Sequence, residues 1–134
     1  MTSADTFQDY LKEPGHLTFD QMAAIHQEIV EEVGQDEEAL EFYGYLVVAA
    51  AKYANTRALW CTMDKMEKME KDSGRTSGHD SVITNLNMLA RFLKTQGKPA
   101  LWRDRLGDET DRYGRKALGD FACYLAFVCG INAR

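Results

Sequence analysis

The sequence predicts an all-α fold, a compact bundle of about five helices built around two fully buried central ones. Three observations predict it. Turned through 100° per residue, the apolar positions gather into stripes. Helix-start signals of the capping-box kind precede several of those stripes. Two prolines and ten glycines provide too few turns for a β-sandwich. At 134 residues the chain makes a single helical domain over 1–134. An apolar share of 45% with 28% charged residues excludes a disordered or fibrous chain.

The elements follow from period and punctuation. Residues 4–12 form a short helix that Pro14 and Gly15 end. Thr18 with Gln21 makes a capping box, and Leu17 and Met22 make a hydrophobic staple. The helix they start runs to Gly34, with Phe19, Met22, Ala23, His26, Ile29, Val30 and Val33 on one stripe. Asp20, Gln27, Glu28 and Glu31 fall opposite. A third helix starts at Asp36, where Glu37, Glu38 and Glu41 favour the positive end of its dipole.

The third helix is apolar on nearly every side around 42–54 and keeps helical register to about Lys71, with a kink or break expected near Asn55 and Thr56. Its last part carries the acid-first pairs Asp64–Lys68 and Glu67–Lys71 of a solvated helix. Residues 72–78 read as the clearest loop and the most mobile segment. Ser77 and Asp80 restart a helix that groups Val82, Leu86, Leu89, Ala90 and Leu93 and stops at Gly97. A short turn, ALWRDRLG, leads to Asp108 or Thr110 as the cap of the final helix, apolar all round from Phe121 to Ile131. Ala50, Ala54 and Ala58, and Ala122, Ala126 and Gly130, form small-residue ridges. These suit close packing of the two central helices within one chain, a symmetric seam between two copies being the alternative. The oligomeric state stays open.

The net charge of −5 is unevenly spread. Residues 1–51 hold eleven acids against the single base Lys12, while residues 52–134 hold fifteen bases and ten acids. An acidic chain argues against binding a phosphate backbone. The basic residues near Trp102 and Tyr113 (Lys98, Arg103, Arg105, Arg112, Arg115 and Lys116) are interleaved with acids, which suits salt bridges between helices. The acidic part either attracts the basic part within one domain or presents Glu28, Glu31, Glu32, Glu37 and Glu38 to a basic protein partner. No apolar run reaches the roughly 20 residues that cross a bilayer. The first residues are acidic where an export signal is basic, and three cysteines suit reduced thiols, so the expected location is cytoplasmic.

Chemistry-bearing motifs are sparse: no phosphate-binding glycine loop, nucleophile elbow, paired CxxC or HExxH occurs. Cys123 and Cys129 lie about 120° apart on a helix, poor for sharing a metal, and read as small core residues. His26, the His79-Asp80 doublet and Asp120 come in the order H…HD…D. That order resembles the ligand set of the HD-domain metal phosphohydrolases, and the resemblance implies a divalent metal on those four residues and a metal-activated water. The residues have a plainer explanation: Asp80 completes a capping box, His79 lies on an inner face and His26 is a core histidine. Glu28-x-x-Glu31-Glu32 followed by Asp64-x-x-Glu67 looks like the carboxylate pairs of the helical nucleotide pyrophosphohydrolases, which would hold magnesium. A solvated face explains these carboxylates equally.

The expectation is therefore a small cytosolic binding protein of regulatory, inhibitory or immunity type, without catalysis or cofactor. A metal-dependent phosphohydrolase of either kind is the alternative. Asp120 stands as the only acid in an apolar stretch from Ala117 to Ile131. It must face solvent or be held by a cation or donor, with Lys116, His26, His79 or an arginine as candidates.

Overall fold

The computed structural model describes residues 16–60, 64–106 and 112–129. Among them the chain is all-α: α1 (Phe19–Val33), α2 (Glu37–Trp60), α3 (Lys65–Thr95), a 3-10 turn (Leu101–Arg105) and α4 (Arg112–Val128), with no strand. The expected helix at 4–12, the caps at Asp108 and Thr110, and Cys61 lie outside the described residues.

Local signals start α1 and α2 where expected. Thr18 Oγ1 accepts from Gln21 N at 3.1 Å, and Gln21 Oε1 accepts from Thr18 N at 2.8 Å, closing the capping box of α1. Asp36 caps α2 by accepting from Ala39 N at 2.9 Å. At the end of α3 the chain turns through Gly97, whose φ of 81° suits glycine. Lys98 N donates to Leu93 O there and Gly97 N to Lys94 O, a Schellman closure.

Two expectations about α2 and α3 are corrected. The break falls after Trp60 rather than at Asn55 and Thr56, and residues 72–78 are helical instead of a loop. Asp64 is the N-cap of α3: its carboxylate accepts from Glu67 N at 2.9 Å while Glu67 reaches back to Asp64 N. The Asp64-x-x-Glu67 pair is thus a helix start. Ser77 and Asp80 lie within α3 and start nothing. Two glycines within α3 cost about 1 kcal/mol each. Packing offsets this: a Cβ on Gly78 would stand 3.7 Å from the Tyr53 ring, and His79 is buried with its ring 5.6 Å from that of Tyr53.

The core joins every helix. It contains Ile25, Ile29 and Val33 of α1, Leu46, Ala49, Ala50 and Tyr53 of α2, and Leu118, Phe121, Ala122 and Leu125 of α4. The α3 stripe Val82, Leu86, Leu89, Ala90 and Leu93 is buried as its spacing predicts. Helix α2 is the hub, packed most extensively on α3 and next on α4. It is not fully buried, since Leu40, Tyr45 and Val48 are exposed, and α4 likewise exposes Phe127. Both central helices therefore keep an outer face.

On α1 the buried face is rotated from the expected stripe. Phe19 and Val30 are exposed, while Ile25, absent from that stripe, is 1% exposed. Glu32 lies seven residues, two helical turns, beyond Ile25 and so shares its face.

Replacing Ala122, which is fully buried, with Leu should overfill the core and cost about 1–3 kcal/mol. Urea unfolding checks this; an unchanged midpoint would mean that the core holds unfilled space there.

Candidate functional site

Asp120 is held at the meeting of α4, α2 and the segment before α1. Its Oδ2 accepts from Leu17 N at 3.1 Å and lies 2.7 Å from His16 Nδ1, and its Oδ1 accepts from Arg57 Nη2 at 3.1 Å. The carboxylate and the imidazole are 11% and 7% exposed. The expected arginine is present, but the histidine is His16 rather than His26 or His79. Arg57 also donates to Cys123 Sγ at 3.8 Å. Burial pushes the Cys123 thiol up in pKa, partly opposed by the nearby guanidinium. Gly119 makes the approach possible: a Cβ there would stand 2.7 Å from Arg57 Nη1 and 2.9 Å from Tyr53 Oη.

His26 lies elsewhere. Its Nε2 is 2.7 Å from Tyr43 Oη, and Tyr43 Oη is 3.1 Å from Cys129 Sγ. Burial holds its pKa below the usual 6.5. His79 packs on Tyr53, and Asp80 follows it on α3. No group of three or more His, Cys, Asp or Glu side chains placed to share a metal ion occurs among the described residues. His26, His79, Asp80 and Asp120 thus do not meet at one point. Nor do the two carboxylate pairs. Cys123 and Cys129 are half-buried free thiols rather than core fillers.

The acidic candidates divide. Glu32 is committed within the molecule: Oε1 accepts from Trp102 Nε1 at 2.9 Å and Oε2 from Ala100 N at 3.2 Å. Glu28 pairs with Arg105. These two, on the rim of the buried face of α1, dock the 3-10 turn with Trp102 fully buried. Arg103 is engaged as well, donating to Asn87 Oδ1 at 2.7 Å and Leu106 O at 2.8 Å. Glu31 is exposed and accepts from Gln27 at 3.0 Å, while Glu37 and Glu38 are exposed in the first turn of α2.

Those last two flank an open cleft of about 390 Å³ lined by Glu32, Val33, Gly34, Gln35, Asp36, Ala39, Leu93, Gln96 and Lys98. The C-terminal ends of α1 and α3 line it, each with about half a negative charge, and so does the N-terminal end of α2, whose half positive charge the capping Asp36 carboxylate offsets. Glu32 and Asp36 add carboxylates, and Lys98 is the only cation among the described lining residues. The sequence shows the acids of this cleft but not the cleft itself, because Leu93, Gln96 and Lys98 are some sixty residues away in the chain.

No protein-family model matches the chain, and no curated protein or solved structure matches it either.

Replacing Asp120 with Ala removes the carboxylate that Arg57, His16 and Leu17 N share and should cost about 1–3 kcal/mol. Pairing it with Arg57→Met should recover much of the loss in a denaturant titration. Full additivity of the two changes would show that the ion pair contributes nothing.

His26 gives the folded protein a pH dependence. Below pH 6.5 the unfolded chain takes up a proton that the folded ring resists. Its contribution is therefore full above that pH and is lost as pH falls through the lower folded-state value. Thermal melts at about pH 7.5 and about pH 5 should show the wild type losing more stability on acidification than His26→Gln. Equal losses would remove His26 as the cause.

Proposed function

We propose that this protein acts by binding, as a regulatory, inhibitory or immunity-type module without catalysis. Its partner is a basic protein segment held at the acidic end of the bundle. The cleft at the α1–α2 turn carries this reading, because Glu32, Asp36 and the C-termini of α1 and α3 outweigh Lys98 and the α2 N-terminus and favour an ammonium or guanidinium group. Exposed Glu31, Glu37 and Glu38 extend the same charge beyond the opening, while Glu28 and Glu32 serve the fold. The net charge of −5 disfavours a nucleic acid. No helix among the described residues is long and apolar enough to cross a membrane. A cytoplasmic location goes with this reading, supported by the free thiols of Cys123 and Cys129.

A fluorescent lysine- and arginine-rich peptide provides the test. It should bind the wild type with an affinity that falls as salt rises. The double reversal Glu37→Lys/Glu38→Lys should weaken binding at least about tenfold, or about 1.4 kcal/mol, with the helical circular dichroism preserved. Equal affinity of the two proteins, or no binding by the wild type, would sink the reading.

A further inference from the structure

Away from the cleft, three chemistry-bearing side chains from three helices meet. His26 comes from the middle of α1, Tyr43 from the second turn of α2, and Cys129 from the residue after α4. Tyr43 Oη stands between the other two, 2.7 Å from His26 Nε2 and 3.1 Å from Cys129 Sγ. The sulfur is itself 3.9 Å from Nε2. All three residues are half-buried, so the thiol is sheltered yet within reach of a small reagent. Tyr124 packs edge-on against the imidazole at 5.9 Å and holds its plane.

We propose that Cys129 is a covalent modification site for small conjugated-carbonyl electrophiles, with Tyr43 passing the thiol proton to His26. A nucleophile needs a base within hydrogen-bond reach, and the base must be unprotonated at working pH. Burial keeps the His26 ring neutral near pH 7. Tyr43 cannot serve as an acid in its own right, because burial and the neighbouring Cys129 push its proton loss far above the usual 10. It can only relay, donating its hydroxyl proton to Nε2 while its oxygen accepts from the thiol.

In the reaction the sulfur forms a bond to the β-carbon of the alkene and the S–H bond breaks. The thiol proton passes to Tyr43, and the proton of Tyr43 passes to His26. The alkene π pair moves onto the α-carbon, which takes up a proton as the relay runs in reverse. The product is a thioether, and nothing leaves. Cys123 is the internal contrast: it is held against Arg57, whose guanidinium accepts no proton, and burial disfavours its thiolate.

N-ethylmaleimide serves as the probe on the full chain at about pH 7, with site-resolved mass spectrometry following Cys61, Cys123 and Cys129. Cys129 should label at least about tenfold faster than Cys123, and Tyr43→Phe and His26→Gln should each slow Cys129 about fivefold or more while leaving Cys123 unchanged. Equal rates at Cys129 and Cys123 in the wild type, or undiminished labelling of Cys129 in both folded variants, would overturn the proposal. If the variants do not fold, the wild-type pH profile decides. A relay to a neutral imidazole gives a rate at Cys129 that rises much less than tenfold per pH unit between about 6 and 8. The full tenfold rise of an ordinary thiol overturns it.

Discussion

The carboxylate of Asp120 is the constraint on which the arrangement of α1, α2 and α4 rests. It is carried into the core by the apolar part of α4 that begins at Ala117 and meets three donors from two other parts of the chain. A buried ion pair adds little net stability compared with well-packed apolar groups. Its effect is on geometry. A slip of α4 by one turn would part the Asp120 carboxylate from Arg57, His16 and Leu17 N together, which favours the register observed. Gly119 leaves room for this meeting, since a Cβ there would crowd Arg57 Nη1 and Tyr53 Oη and one or both would have to shift. Leu17 N ties the entry to α1 to the same atom that His16 contacts, which fixes where α1 begins against α4.

The opposite sign bias of the two parts of the chain has two uses. Some of the acids hold the basic part in place: Glu28 takes Arg105, and Glu32 takes the indole N–H and a backbone N–H of the turn that buries Trp102. Both lie on the side of α1 that also carries Ile25 and Ile29, and there a carboxylate must find a donor. Others, Glu37 and Glu38, sit one and two residues past the α2 cap, exposed in the first turn where the helix dipole stabilises them. Helix geometry thus separates the acids that fold the molecule from those left exposed at its surface.

Much of the helix content could be read from the sequence, because capping and periodicity are local properties. The Thr18 box, the Asp36 cap, the α3 stripe and the turn before Trp102 were all legible on those grounds. Residues 72–78 misled because glycine and serine lower helix propensity, whereas Tyr53 and His79 pack across this part of α3 and outweigh it. The need of Asp120 for a cation was legible from its apolar surroundings. Its partners were not: Arg57 is 63 residues away, and His16 stands beside a Pro-Gly break that carries no periodic signal. The meeting of Cys129 with Tyr43 and His26 was equally hidden, since each reads separately as an ordinary core position.

The pairing of α2 with α3 also explains an exposed segment at the start of α3. Phe42 meets Phe92 with ring centroids 5.0 Å apart, and Tyr53 meets His79 at 5.6 Å, so the two helices run antiparallel in a fixed register. Continued along both axes, that register sets Trp60, the last residue of α2, opposite about residue 72 of α3. The first seven residues of α3 therefore overhang the end of α2 by about 10 Å. This overhang lies beyond the end of α2, in keeping with Met66 and Met69 each being 72% exposed. Local interactions support it. The Asp64–Glu67 box supplies the two backbone contacts that start it, and the acid-first spacing of Asp64 with Lys68 and of Glu67 with Lys71 is the orientation that favours a solvated turn. The carboxylates that resemble a metal-binding pair in the sequence are therefore the device that starts α3 beyond the end of α2.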